Sequence, residues 1–306
     1  MTETSPKVAV VLVNWNGATD TLATLASLDR VRGAELWPIV VDNGSTDGSV
    51  ERLRRERPGL DLRETGANLG FAGGNLAGFR AALSDPSVTH VLALNTDVEV
   101  DPGFLVPLLA ACADPGVGAA GPKIFYFEPA DLLWAAGGRL RWRETVTEEF
   151  GQRRPDGPAF SRGRDVTYLT TCCLLIPRRA LERVGLLDPV FFINVEDADW
   201  CRRALDAGLR LRYVPESRIW HKVAATTGGY TPTKTFHTGR SNALFARRHG
   251  KPFGLALFLL ANAVALPLAL LRELPRGRAK SVRAKARGVW RGLCDPLPAP
   301  PRWPGL

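Results

Sequence analysis

The chain has 306 residues, 45% hydrophobic and 23% charged, enough to bury the core of one large domain or two smaller ones. Its formal charge is +9, but residues 272–306 hold nine basic side chains (Arg272, Arg276, Arg278, Lys280, Arg283, Lys285, Arg287, Arg291, Arg302) against Glu273 and Asp295, a net +7. The rest is nearly neutral, which argues against a nucleic-acid partner, whose binding face would spread basic charge.

Residues 8–13 form a continuous apolar run, mostly valine, and predict a strand buried on both faces. It ends in Asn14-Trp15-Asn16-Gly17, not in the G-x-G-x-x-G of a dinucleotide site. Residues 19–31 space Leu22, Leu25 and Leu28 as a helix does. A strand over 38–41 ends in Asp42-Asn43-Gly44-Ser45-Thr46-Asp47. Asp42 there can accept a hydrogen bond from a pyrimidine imide N–H, while Thr46 or Asp47 suits the cap of a helix over 49–57. A short strand follows over 60–63. Asn68-Leu-Gly70-Phe-Ala-Gly-Gly-Asn75 then opens a helix over 71–83. Its glycines permit close backbone approach, and a helix N-terminus favours phosphate.

The strand over 91–94 ends in Asn95-Thr96-Asp97. A carboxylate at the end of a buried strand lies where open α/β sheets bind ligands. Its hard oxygens suit a divalent cation held against a diphosphate. Asp101-Pro102 opens the next helix, with Asp101 as its cap. A strand near 117–120 completes an alternation that predicts a mostly parallel sheet with helices on both faces.

After residue 125 the pattern loosens. A hairpin is expected over 133–142 around Gly137-Gly138, a mobile loop over 153–163 and a strand over 166–176. A short helix over 178–184, a helix over 197–207 closed by Gly208 and a strand over 210–214 follow. Glu196, Asp197 and Asp199 exceed what a helix N-terminus needs, although Asp199 alone fits that role. Arg240 suits bidentate phosphate contact or a plain helix start. Residues 253–271 are apolar except for Asn262 and just long enough to cross a bilayer. Pro267 and basic residues on both flanks favour a re-entrant or hairpin insertion over a single span. The alternative is a helix packed on the domain. Residues 278–293 place Val282, Val289 and Leu293 together, with Trp290 adjacent, as in a helix lying on a membrane surface.

No Walker-type phosphate loop and no G-x-S-x-G elbow occur. The five cysteines include no C-x-x-C pair, so neither a zinc site nor a disulfide framework is expected. The first residues lack the basic-then-apolar pattern of a cleaved secretion signal.

Val41-Asp-Asn-Gly-Ser-Thr-Asp47, Asn68-Leu-Gly-Phe-Ala-Gly-Gly-Asn75, Asn95-Thr-Asp97 and Phe191-Phe-Ile-Asn-Val-Glu-Asp-Ala-Asp-Trp200 together resemble the family 2 glycosyltransferases of GT-A fold, over about residues 6–250. The similarity is greatest to the rhamnosyltransferase-like branch that builds cell-envelope polysaccharides. The resemblance implies that Asp42 contacts the nucleotide base, and that Asn14, Asn68, Gly70, Asn95 and Arg240 join the nucleotide-sugar contacts. It makes Asn95-Thr96-Asp97 the D-x-D element, with Asp97 a ligand to Mg2+ or Mn2+. Asn95 stands where many members have Asp, leaving one carboxylate instead of two. His221 would complete the metal shell, and Lys222 with the loop to Arg240 would close over the diphosphate. Inverting transfer needs a base for the acceptor hydroxyl. Asp197 is the first choice and Glu196 its competitor.

The implied donor is dTDP-rhamnose or a UDP-sugar, and the acceptor a polyprenyl-linked or cell-envelope glycan. Residues 1–250 would form the catalytic domain, nucleotide-binding to about residue 125 and acceptor-binding beyond. Residues 251–306 would form a membrane-associating helical tail, placing the enzyme in the cytoplasm at the inner face of the cell membrane. Two other readings remain. A sugar nucleotidyltransferase would need a Gly-rich basic loop after the first strand, which Asn14-Trp-Asn-Gly does not supply. A degenerate nucleotide-sugar-binding scaffold stays open because of Asn95. His237 and His249 receive no role.

Overall fold

The computed structural model describes residues 5–223 and 230–303. The N-terminal apolar run forms β1 (Lys7–Asn14), followed by α1 (Ala18–Leu28), β2 (Glu35–Asp42) and α2 (Ser49–Glu56). Then come β3 (Asp61–Glu64), α3 (Gly70–Leu83) and β4 (Val88–Leu94). The four strands pair in parallel in the order β3-β2-β1-β4. Parallel neighbours need crossover connections, and the intervening helices supply them. Side chains of β1 alternate: Ala9 and Val11 enter one core layer with Leu76, Phe79 and Leu83 of α3, while Val8, Val10 and Leu12 enter the other with Leu25 and Leu28 of α1. Burial on both faces is why this strand reads as one apolar run. A Cβ on Gly78 of α3 would stand 2.2 Å from Cγ1 of Val11, so the missing side chain lets the helix sit close on β1.

The chain continues through β5 (Val98–Val100), α4 (Leu105–Cys112), β6 (Val117–Tyr126), β7 (Leu132–Ala135), β8 (Gly138–Leu140) and β9 (Thr147–Glu149). β10 (Arg154–Pro155), β11 (Arg164–Val166), β12 (Cys173–Pro177), α5 (Arg178–Val184), α6 (Glu196–Asp206) and β13 (Arg210–His221) complete the sheet region. β12 enters antiparallel to β4, and β13 runs parallel to β6 and antiparallel to β5. The sheet order is β10-β7-β6-β12-β4-β1-β2-β3, with β13 bridging β6, β5 and β11. The mostly parallel nucleotide-binding sheet expected from the sequence is therefore continued by a mixed half.

Four local expectations change. The hairpin around Gly137-Gly138 does not form, because β7 pairs with β6 and β10 while β8 pairs with β9 in a separate sheet. The strand expected over 166–176 is broken between β11 and β12, where Tyr168 makes only an isolated bridge to Gly138. The strand at 210–214 runs on to His221 through a register shift between Val214 and Arg218. Residues 153–163, expected to be mobile, are fastened by the buried Phe160 ring, by the Tyr213 hydroxyl donating to the Phe160 carbonyl, and by Lys123 on Asp156 at 2.7 Å.

The C-terminal helices are α7 (Pro232–His249), α8 (Lys251–Glu273) and α9 (Ala279–Cys294). The expected tail is not uniform. α9 does not offer its apolar face to a membrane: Val282 and Val289 are buried, and Val289 packs with Ala243 and Ala246 of α7. Glycines make this seam, since a Cβ on Gly288 would lie 2.0 Å from the Phe236 carbonyl oxygen and one on Gly292 2.3 Å from that of Arg240. Residues after α9 also return to the domain, with Leu186 N–H donating to the Pro301 carbonyl and Arg248 to that of Pro298. α8 is continuous through Pro267 and leaves most of its apolar surface uncovered, so neither a hairpin nor a buried core helix describes it. Gly288→Leu is expected to cost about 1–3 kcal/mol by overpacking the seam. Gly157→Leu, with nothing near its Cβ, should leave urea unfolding unchanged.

Candidate active site

The C-terminal ends of β1, β2 and β4 are neighbours, which brings Asn14, Asp42 and Asn95 to one edge of the sheet. Asn14 is fully buried and acts as a bracket. Its Nδ2 donates to Oδ2 of Asp42 at 2.8 Å and to Ser45 Oγ, while its Oδ1 accepts from the Thr21 hydroxyl. Asp42 also accepts from the Ser45 N–H at 2.9 Å, so its carboxylate is fixed before any ligand arrives. Asn68 closes the first turn by accepting from the Gly70 N–H, and Asn43 ties that turn to β2 through Leu69 N–H and the Gly70 carbonyl. Gly70 has φ +75°, and its Cα faces Phe192, whose carbonyl oxygen would be 2.4 Å from a Cβ. Its glycine is thus required by the fit of α3 under the 192–195 loop. Asp47 and Asp101 do not cap their helices: the N-caps of α2 and α4 are Gly48 and Phe104, without side-chain cap bonds, and the two acids close the preceding turns by accepting from Ser49 and Gly103 N–H groups.

At the end of β4, Asn95-Thr96-Asp97 is pinned from α1 by the Thr24 hydroxyl, which reaches the carbonyls of Thr96 and Val98. Antiparallel pairing of β5 with β13 sets His221 opposite Val98. His221 Nε2 consequently stands 3.1 Å from Oδ1 of Asp97 and 3.4 Å from the Asn95 amide nitrogen. The Trp134 ring meets the imidazole edge-on at 4.8 Å, and Nδ1 is buried with no hydrogen-bond partner among the described residues. Asp97, in the turn after β4, and His221, at the end of β13, thus converge, the histidine lying 126 residues from Asn95 in sequence.

Asp197 opens α6 and is almost wholly buried. Its Oδ2 accepts from the Tyr168 hydroxyl at 2.9 Å and from Thr171 N–H at 3.3 Å, and its Oδ1 from Ala198 N–H at 2.8 Å. Burial raises its carboxyl above the usual range, and these donors with the Thr170 hydroxyl pull against that rise. Glu196 is pushed up further, first by burial and then by the charge of Asp197, against a hydrogen bond with the Thr171 side chain; among the described residues its Oε2 has no hydrogen-bond partner. The residues just before it, Phe192, Asn194 and Val195, all have positive φ, so the acids leave a sharply bent loop.

The 167–172 break joins the two centres. Thr171 N–H binds Asp197, while the carbonyl of the next residue, Cys172, accepts from Asn95 N–H at 3.0 Å. Burial raises the Cys172 thiol, and the charges of Asp97 and Asp197 both add to the rise.

Other expected residues lie elsewhere. Arg240 is not at this edge for phosphate contact: its Nε binds Asp295 at 2.7 Å and its Nη1 the Val190 carbonyl. It fastens α7 to the segment after α9. Lys222 pairs with Asp20 at 2.8 Å and lies over the Phe127 ring. Residues 224–229 of the loop expected over the diphosphate lie outside the described residues. Asp199 is not solely a helix-dipole group. Burial alone would raise it, but Arg203, His249 and Arg248 outweigh that and hold it at about 2. Thr21, Thr24, Ser45, Trp134, Tyr168 and Thr171 were not expected from the sequence; the one available signal was the polar Thr170-Thr171 pair inside an apolar run.

Residues 9–185 match the family model described as glycosyl transferase family 2. The chain is 31% identical over 250 residues to an N-acetylglucosaminyl-diphospho-decaprenol L-rhamnosyltransferase of Mycobacterium tuberculosis, covering 74% of this chain and 79% of that one. The chain therefore belongs to the family 2 glycosyltransferases, as a rhamnosyltransferase-like member, and is a transferase enzyme. Its fold is that of solved neighbours at low identity. The mannosyltransferase PcManGT of Pyrobaculum calidifontis, in complex with GDP-Man and Mn2+, has TM-score 0.57 and 18% identity over 96% of this chain and 90% of that one. GalNAc-T7 with UDP, GalNAc and Mn2+ has TM-score 0.60 and 17% identity over 78% of this chain and 48% of that one.

Glu196 gives a pH test. A carboxyl raised in the folded state makes its full contribution to stability below the ordinary value of 4.5 and loses it as pH rises toward the folded value. Glu196→Gln does not titrate. It should therefore unfold at higher urea than wild type at pH 8, by on the order of 1 kcal/mol, with the gain vanishing toward pH 4. An equal difference at both pH values would contradict the assignment.

Proposed function

We propose that this enzyme is an inverting, divalent-metal-dependent transferase that moves a sugar from a nucleotide diphosphate to a hydroxyl of a polyprenyl-linked or cell-envelope glycan. The donor is dTDP-rhamnose, with a UDP-sugar as the alternative. The observation that carries this reading is the pair of adjacent residues, Thr171 and Cys172, that tie Asp197 and the Asn95-Thr96-Asp97 turn together.

Asp42, held by Asn14 and Ser45, receives the pyrimidine edge of the donor. Its carboxylate orientation is already set by two donors, so little ordering remains for binding to impose. Asp97 and His221 are the residues that would hold Mg2+ or Mn2+. Their carboxylate oxygen and imidazole nitrogen stand 3.1 Å apart, hard and borderline donors that would suit such a cation together with oxygens of the donor diphosphate. When bound, the cation neutralises the charge that grows on the leaving diphosphate. Asp197 takes the acceptor proton. The acceptor hydroxyl replaces the partly exposed Thr170 hydroxyl on the carboxylate, while Tyr168 and the two N–H groups keep it oriented. Its raised affinity for a proton suits a base working near neutral pH.

The acceptor side of this reading is consistent with α8, a 23-residue helix apolar and long enough to cross a membrane and mostly uncovered by the rest of the protein. The setting proposed for the enzyme is the cytoplasm, against the inner face of the cell membrane, where a polyprenyl-linked acceptor is held.

Asp197→Asn should lower transfer by about 10²–10⁴-fold and leave donor binding intact, measured by single-turnover assay and calorimetry. Glu196→Gln should keep most of the rate. The opposite ranking would move the base to Glu196. Chelation with EDTA should abolish transfer, and Mn2+ or Mg2+ should restore it. Full activity after exhaustive chelation would remove the metal from the mechanism.

A further inference from the structure

α8 presents two different faces. Gly254, Phe258 and Asn262, four residues apart, are buried, and Phe258 packs with Ala243 and Ala246 of α7 and Val289 of α9. Glu273, at the other end of the helix, is buried too and paired with Arg272 and Arg278. Phe253, Leu257, Leu260, Val264, Leu268 and Leu271 recur every three or four residues and are exposed, Phe253 at 80% and Leu271 at 70%. The helix therefore lies along the catalytic domain with one apolar stripe uncovered. Crossing a bilayer would strip its packed face, Phe258 above all, from α7 and α9. Lying flat at an interface would not.

α9, joined to α8 by residues 274–278, adds charge. Its apolar side is closed against α7, and its exposed positions Lys280, Arg283, Arg287 and Arg291 again recur every three or four residues. Trp290 stands among them, 66% exposed. Among the described residues Lys280 and Arg283 have no ion-pair partner. A basic stripe with an exposed tryptophan, beside an apolar helix face, matches the headgroup layer of a negatively charged bilayer.

We propose that α8 lies in the plane of the bilayer interface and that the outer stripe of α9 binds anionic lipid headgroups. This rests on the membrane reading given above and adds the orientation and the lipid class. Each basic residue near such a surface contributes about a fivefold gain in binding, and the gain is screened by salt.

The test is flotation of the full chain with phosphatidylcholine vesicles, with and without phosphatidylglycerol. Wild type should bind the anionic vesicles at least about tenfold more tightly, and raised salt should erase the difference. Arg283→Glu with Arg287→Glu should lose the preference while keeping residual binding to neutral vesicles. Leu260→Glu with Val264→Glu, also at exposed positions, should lose binding to both. Unchanged thermal unfolding of both variants shows that neither acts by misfolding. A C-terminal tag should be cut by protease added outside the vesicles. Equal binding to both vesicle types overturns the headgroup inference alone, and a protected tag overturns the in-plane orientation alone. Binding to neither vesicle overturns the membrane reading itself.

Discussion

Two backbone hydrogen bonds from consecutive residues hold the site together. Thr171 N–H ends on the Asp197 carboxylate, and the Cys172 carbonyl takes the N–H of Asn95. The two acidic centres come from distant parts of the chain, one after β4 and one at the start of α6. Neither strand pairing nor helix packing alone would fix their separation. The start of β12 does so: the Cys172 carbonyl extends the β12–β4 pairing by one step to Asn95, and the Thr171 N–H just before it leaves the ladder and turns to Asp197.

Much around this join serves to keep buried charge in order. Asp199 sits one helical step beyond Asp197 and is fully buried, yet it remains ionised because Arg203, Arg248 and His249 surround it. Glu196 has no such company and is driven toward the neutral form. Three acids in four residues are thus shifted in opposite directions, Asp199 down and Glu196 and Asp197 up, by their neighbours and not by residue type. The same logic separates Arg240 from the site: its partner is Asp295, so it secures the end of the chain instead of a phosphate.

The parallel half of the sheet was largely legible from sequence because its signals are local. A strand buried on both faces shows as an unbroken apolar run, as in β1, and its end shows as a change to Asn or Asp, as at Asn14, Asp42 and Asn95. The expected encounter of Asp97 with His221 depended on family resemblance, since nothing local announces that β13 lies beside β5. Thr24, Trp134 and Tyr168 were illegible for that reason: each acts across the fold on a residue far away in sequence. The tail failed differently. The apolar stripe of α9 was read correctly, but periodicity cannot say whether a stripe meets lipid or protein, and Gly239, Gly288 and Gly292 at the α7 seam were the decisive residues.

The central claim is that Asp97 and His221 form, with the donor diphosphate, one divalent-cation site beside the base. Mn2+ binding followed by electron paramagnetic resonance, with and without dTDP or UDP, tests it most directly. The account predicts weak binding to the enzyme alone, strong binding when the nucleotide is present, and loss of that gain in both Asp97→Ala and His221→Ala. Nucleotide-dependent Mn2+ binding that survives both substitutions would contradict it.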